Sequence, residues 1–472
     1  MDPEFTFSEA LRSMYLRYSR LYLPRYTSYP AIPYWSGQAT QAESRFYIDE
    51  VLRQEKQVSL YFHVPFCQKL CFYCGCQKEI MSPRSAGGQR IVQSYLDGLV
   101  LEAQVYAHHF DGAKVEQIHF GGGTPNFLDV DQWRFLYEQV LSRFNLSPDL
   151  EWSVEIDPRT VTEEVLRYLR DIGVSRLSLG VQDFDPKVQK AINRIQPFAT
   201  VSQIVEMSRA IGIRHINFDL IYGLPFQTQA SMDETLSQVM RLRPDRVAYY
   251  RLALLPQLFS AQRAFVDKDL PTGEASLDLN LLAIRRFMAA GYRMIGLDHF
   301  ALDTDPLAIA AREGRMQRNF QGMTTGRNLP LFGLGPSAIS SYGRFFVQNP
   351  KSTSEWLTLL ADHNAQRKAH VLTHDDTLRK AMIDQIFCQG RIAIHEIEER
   401  FGVRLRECMT RQWTYLTRLA DDGLVRLEPD AIELTQPLGQ LLRRVVASVF
   451  DAYIPEDACL QGLGQDRGSQ VG

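Results

Sequence analysis

No stretch of the 472-residue chain is apolar for the ~18 residues needed to cross a bilayer. The opening, MDPEFTFSEALRSMYLRYSR, has neither the basic n-region nor the apolar h-region of a secretion signal, and Met1 to Phe5 carry no weight in the reading. Positive charge is not in excess either. The 52 Lys and Arg against 55 Asp and Glu leave −3, so no global field draws in nucleic acid. There is no internal repeat, and no low-complexity tract beyond the polar tail QGLGQDRGSQVG, which is expected to fray. These absences predict a cytoplasmic protein with no membrane and no nucleic-acid partner. What remains is an ordinary globular composition, 45% apolar and 23% charged. At roughly 150 residues per domain that means about three domains, or one large and one small.

A disulfide framework is also missing. Such a framework spreads an even number of cysteines through a short secreted chain. Here there are seven, and Cys67, Cys71, Cys74 and Cys76 fall within ten consecutive residues. In a reducing compartment that clustering reads as metal binding. Cys388, Cys408 and Cys459 stand alone in apolar surroundings and are expected to be buried thiols acting as small hydrophobes.

Between residues 58 and 252 short β-branched or aromatic runs alternate with amphipathic stretches. The predicted strands cover 58–64, 115–120, 151–156, 176–182, 216–223 and 246–252. Helical patterns lie at 91–110, where Tyr95, Leu99, Leu101 and Val105 fall close to one face, and at about 129–143, 161–171, 198–211 and 231–242. Ser231 with Glu234 three residues on predicts a capping box for the last. Six strand–helix units imply a parallel sheet with right-handed crossovers, either doubly wound or a partial (β/α)6 barrel. Polar residues gather at the strand ends: the cysteines after the first, Gly121 to Thr124 after the second, Glu155 and Asp157 closing the third. Gln182 and Asp183 close the fourth, Asp219 sits late in the fifth and Arg251 ends the sixth. In barrels that face carries the chemistry, which favours one shared site. Beyond about residue 325 the chain reads as mainly helical. From Arg379 to Phe450 three helices, a short hairpin and another helix resemble a winged helix, with mixed charge that argues against DNA.

The run Cys67-Gln-Lys-Leu-Cys71-Phe-Tyr-Cys74-Gly-Cys76 offers soft thiolate ligands for iron–sulfur or zinc. Structural zinc usually draws ligand pairs from two separated elements, and no second CxxC is present. Three thiolates on a cubane would leave one iron open.

CxxxCxxC after the first strand of a (β/α) unit resembles the signature of the radical S-adenosylmethionine superfamily. Cys76 and the N-terminal PRYTSYP (24–30) narrow the resemblance to the oxygen-independent coproporphyrinogen III oxidases of heme biosynthesis. So do YFHVPFCQKLC, HFGGGTPNFL, VEIDPR, LSLGVQDF, FDLIYGLP and Gln317-Arg318-Asn319-Phe320-Gln321-Gly322. The resemblance runs from about residue 24 to about 455. It implies an α/β fold, with an N-terminal extension over 1–41 that could serve as a substrate lid, a catalytic partial barrel over 42–325, and a mainly helical, winged-helix-like C-terminal domain over 326–472. It implies one 4Fe-4S cluster, two molecules of S-adenosylmethionine, coproporphyrinogen III as substrate, a flavodoxin-type electron donor and a monomer. The reaction would convert two propionates to vinyl groups, giving protoporphyrinogen IX.

Residue by residue, the resemblance makes Cys67, Cys71 and Cys74 the metal ligands and Cys76 a needed thiol that does not ligate. Tyr61, Gly122, Gly123, Thr124, Glu155 and Ile339 would meet the first S-adenosylmethionine, and Tyr73, at a position where the related sequences carry phenylalanine, would also be cofactor-binding. Gln182, Arg194, Asp219 and Ala253 would line the second. Arg25, His299 and Gln321 are candidates for the substrate's carboxylates. Two other readings stay open: a heme-binding chaperone without oxidase activity, whose relatives lack Cys76 and PRYTSYP, and a heme-modifying radical enzyme.

Overall fold

Six parallel strands form where the sequence predicts them: β1 (Gln57–Val64), β2 (Lys114–Gly122), β3 (Leu146–Ile156), β4 (Arg176–Gln182), β5 (His215–Tyr222) and β6 (Arg246–Arg251). The structure, a computed structural model, describes residues 7–325, 329–362, 364–463 and 469–471. Met1 to Phe5 and part of the polar tail lie outside the described residues. The strands stand side by side in chain order, each parallel to the next. A doubly wound sheet reverses its strand order at a switch point. This one does not, so the order is that of a barrel wall, although the sheet stays open.

Period-two alternation sorts the side chains. Phe62, Phe120, Trp152, Leu177, Phe218 and Val247 are fully buried on the side covered by helices. The alternate positions carry Tyr61, His119, Ser153, Ser178, Asn217 and Tyr250, a polar inner face. The helices return between strands at Ala86–His109, Val130–Gln139, Glu163–Asp171, Phe198–Ala210 and Gln229–Leu242. Two details of the prediction change. Leu101 is exposed and takes no part in the buried face of its helix. The capping box of the last helix belongs to Thr228 and Ser231, whose backbone and side chains satisfy each other, so the helix starts before the Ser231–Glu234 pair.

The expectation of a mainly helical chain after 325 also changes. Leu331–Leu334 pairs parallel with β1, and Ile339–Tyr342, Phe345–Gln348, Arg367–Val371 and Gly37–Ala39 follow antiparallel. With His299–Leu302 and Tyr292–Ile295 on the other edge the sheet has thirteen strands among the described residues. Apart from the helix Thr353–Ala361 between two of these strands, helical character begins at His374. There His374–Gln389, Arg391–Ala393, Ile394–Phe401, Thr410–Asp421, Val425–Leu427 and Ala431–Leu434 follow in the order of a winged helix around a three-stranded sheet. Cys459 is buried as expected, Cys388 half-buried, and Cys408 exposed. Nor does the whole tail fray: Ser469–Gln470 pairs with Tyr22–Leu23. Arg444 clamps that pair, donating to the carbonyls of Leu23, Pro24, Ser469 and Gln470.

At the strand-start end, Asp305 is fully buried and joins β4 to β6 by accepting from Arg176 at 3.1 Å and Arg246 at 2.7 Å. Burial alone would raise its pKa, but the two guanidiniums hold it below the usual carboxylate range. Removing that charge strands two buried arginines. Asp305→Asn is expected to cost about 3 kcal/mol in urea unfolding at neutral pH. Because the folded carboxyl's pKa is depressed, the parent's advantage is present above about pH 3.9 and lost as pH falls further, so parent and variant converge in acid.

Candidate functional site

The cysteine loop is tied at its base. Phe66–Cys67 pairs with Glu79–Ile80, and the Met81 amide donates to the Cys67 carbonyl at 3.0 Å. Inside, Lys78 donates to the carbonyls of Cys74 and Cys76, and the loop leans on residues 192–193 through Asn193 to Leu70 (2.7 Å) and Phe72 to Ile192 (3.0 Å). Cys67, Cys71, Cys74 and Cys76 all face one cavity of about 430 Å³. Tyr73, Gly122, Gly123, Thr124, Glu155, Gln182, Arg194 and Asp219 line the same cavity. The strand-end polar residues of the sequence thus converge on one space, except that Asp183 is buried against Gln227 and Thr235 and Arg251 lines a different cavity.

The thiols differ in setting. Burial pushes Cys67 up to about 11, against a 3.4 Å contact with the Thr124 hydroxyl. A hydrogen bond from Cys76, aided by the charges of Lys78 and Arg194, pulls Cys74 down despite its burial. Cys71 receives guanidinium N–H groups from Arg159 and Arg194, each at 3.6 Å. Both arginines are held by buried Asp157, at 2.6 and 3.3 Å. Arg194 further donates to the Gly180 carbonyl at 2.6 Å, so its fork is already spent on the protein's own carboxylate.

The glycine turn is shaped by close approach. Gly122 has φ +105°, and a Cβ there would lie 2.4 Å from the His63 ring. A Cβ on Gly123 would lie 2.8 Å from the carbonyls of Val64 and Phe66. Glu155 accepts from the Gly122 amide at 3.2 Å and contacts His119 Nε2 at 3.3 Å. Burial favours its neutral form, but His119 and the amide hold it below the usual range. Asp219 moves the other way, pushed up to about 6 by burial and by Glu155, while Ser178 and Asn217 donate to it. Gln182 sits on the wall with φ +68° at the bulge that ends β4.

A second cavity of about 280 Å³ is lined by Arg25, Arg251, Arg318 and Arg444 with Asp298, His299 and Gln321. A polar chamber of about 240 Å³ inside the sheet shares His299 and Gln321 with this cavity, and Glu155 and Asp219 with the cysteine cavity. None of the four arginines is in an ion pair among the described residues. Arg318 lies over Phe387 at 4.5 Å and leaves Nε and Nη1 buried without a hydrogen-bond partner; Arg251 Nη1 is likewise unpartnered. Only Asp298, which bonds His299 at 2.7 Å, offers a counter-charge.

Three expected residues stand apart from the cavity walls. Tyr61 contacts His63 Nδ1 through its hydroxyl at 3.0 Å and stacks on His119. Ala253 is linked to Tyr73 through Gln262, which donates to both carbonyls. Ile339 packs among Trp35, Phe320 and Phe346. Sequence reasoning placed Asp157 at the shared strand-end site without a role of its own and did not single out Arg159 or Arg444. VEIDPR held the first two in plain view, whereas Arg444 in LLRRVV reads as an ordinary surface residue.

Among the described residues no three His, Cys, Asp or Glu side chains converge on a single-ion site. The thiols instead edge a cavity, a donor set that fits a polynuclear cluster.

The Radical SAM superfamily profile matches residues 61–239, from the inner tyrosine of β1 to the helix before β6. Over 436 residues the chain is 40% identical to the oxygen-independent coproporphyrinogen III oxidase of Pseudomonas aeruginosa, covering 92% of this chain and 94% of that one. It is 39% identical to the Escherichia coli protein of the same name over 93% and 94%. The solved coproporphyrinogen III oxidase from Escherichia coli, described as a radical SAM enzyme, superposes with a TM-score of 0.85 at 38% identity, covering 91% of this chain and 98% of that one. The chain belongs to the family of oxygen-independent coproporphyrinogen III oxidases. Membership of the superfamily implies a 4Fe-4S cluster and S-adenosylmethionine.

The glycine turn gives a direct check. Gly122→Ala forces a side chain into a left-handed backbone and onto the His63 ring, which costs about 1–3 kcal/mol. Urea unfolding of the variant, set against the parent, should show that loss of stability.

Proposed function

We propose that the protein decarboxylates two propionate side chains of coproporphyrinogen III to vinyl groups, an anaerobic step of heme biosynthesis. The observation that carries this reading is the arginine cavity. Three buried or half-buried guanidiniums, Arg251, Arg318 and Arg444, with the exposed Arg25 at the rim, face one carboxylate, which is costly unless an anionic ligand completes them. A tetracarboxylate does so, and Arg forks match carboxylates in pairs. The polar chamber links that cavity to the cysteine loop, so a propionate held by arginine can reach toward the cofactor.

Cys67, Cys71 and Cys74 hold the cluster in this reading, and Cys76 stays free beside Cys74. The guanidinium donors of Arg159 and Arg194 stabilise negative charge on the Cys71 sulfur. When bound there, the cluster and S-adenosylmethionine would supply the one-electron chemistry that removes a propionate β-hydrogen, so that the substrate could lose carbon dioxide and one electron to form the vinyl group. Gly122, Gly123 and Thr124 allow close backbone approach, and Glu155 accepts from amino or hydroxyl groups of the first S-adenosylmethionine. Gln182, Asp219 and Ala253 serve a second, with Arg194 acting through Asp157 rather than as a free fork. The N-terminal segment covers the substrate: Arg25 donates to the Arg251 carbonyl at 3.2 Å and, with Thr27, walls the cavity.

Anaerobic incubation of the reconstituted protein with S-adenosylmethionine, reductant and coproporphyrinogen III should release protoporphyrinogen. Tight heme binding without turnover would instead favour the chaperone reading. Cys71→Ser is expected to abolish the brown absorbance and cofactor cleavage together. Arg318→Met should leave both intact while raising KM for coproporphyrinogen about 10–100-fold, the worth of one charge-assisted hydrogen bond. An unchanged KM would remove Arg318 from the substrate site.

A further inference from the structure

We infer that the outer face of the cysteine loop is a docking surface for an acidic one-electron carrier protein, a partner that rests on the reading of a reducible cluster above. The face is built from three segments that touch. Leu70 accepts from Asn193, and Gln262 donates to the Tyr73 carbonyl at 3.0 Å. Gly75 packs so closely on Phe259 that a Cβ would lie 3.0 Å from its ring.

Two large apolar side chains flank the loop in solvent: Ile195 is 59% exposed and Leu258 60%. Neither fills a core position, while their neighbours Ile192, Arg194 and Gln262 are buried. Around them Lys69, Lys187, Lys190 and Arg263 are exposed. The segments 68–76, 187–195 and 257–264 contain no aspartate or glutamate, in a chain whose acidic residues outnumber its basic ones. The nearest in sequence, Asp185, Asp267 and Glu79, lie beyond the segment ends. An apolar centre with a single-sign rim is the composition of a short-lived, electrostatically steered encounter. Charge complementarity therefore selects an acidic partner.

Position selects the electron carrier. Gly75, packed on Phe259, is exposed, while Cys74 and Cys76 on either side of it line the cavity behind the loop. An electron entering here crosses only the loop. The carrier is oxidised by one electron and the cluster reduced by one, with no proton or group transferred.

The test compares the reconstituted protein with the double variant Ile195→Glu, Leu258→Glu, two surface changes that leave the core untouched. Binding to an immobilised acidic flavodoxin, read by biolayer interferometry, should weaken at least tenfold in the variant. Binding of the parent should also weaken with added salt. Equal binding by parent and variant, or binding of the parent indifferent to salt, overturns the proposal. Dithionite-driven cleavage of S-adenosylmethionine reports on the cofactor site separately and should stay within twofold in the variant. Its absence in the parent would count against the enzymatic reading, while the binding comparison would still decide the docking face.

Discussion

Strand order is the constraint on which everything else rests. With β1 to β6 adjacent in chain order and the helices returning over one face, the other face of every strand looks into the same space. The alternation that buries Phe62, Phe120, Trp152 and Phe218 against helices therefore delivers Tyr61, His119, Ser153, Asn217 and their neighbours to a common interior. A one-residue slip in any strand would exchange those sets. The interior is consequently as strongly specified as the core, because it is the same constraint seen from the other side.

Within that interior charge is distributed unequally, and the inequality has chemical meaning. At the cysteine loop the cations are matched: Asp157 holds Arg159 and Arg194, which in turn reach Cys71. That network fixes the geometry of the loop, with Arg194 Nε left buried and unpartnered. In the neighbouring cavity the arginines are unmatched, and burial pulls the pKa of Arg444 down to about 9. Arg444 meets its cost with backbone carbonyls, while Arg318 and Arg251 retain free N–H groups. One region is preorganised for a cofactor and the other poised for an anion.

Much of this was legible in the chain. Strand positions followed from β-branched runs, the glycine turn, Glu155, Gln182 and Asp219 from their placement at strand ends, and Arg194 from the family resemblance alone. Those residues do share one cavity wall. Tertiary pairing was not legible. The short runs at 331–348 carry too few residues to display a period, so their addition to the sheet edge could not be read locally. Ser231 resembled an N-cap because Ser–Glu spacing is a local signal, but Thr228 begins the helix one turn earlier. The role of Arg444 depends on carbonyls more than 400 residues away in the chain, which no window of sequence contains.

That last dependence also explains how the C-terminal unit bears on the site. Arg444 and Leu441 line the arginine cavity, and Phe387, from the first helix of the winged-helix-like unit, supplies the ring beneath Arg318. Tyr26 packs on the same ring from the N-terminal segment and donates to Asp451 at 3.0 Å. The cavity is thus bounded by the sheet on one side and by both distal segments on the other. Its wall is a product of long-range closure, whose entropy must be recovered by contacts such as the Arg444 clamp. The unit needs no independent ligand to matter: by carrying Phe387 and Arg444 it fixes where two of the four cations stand.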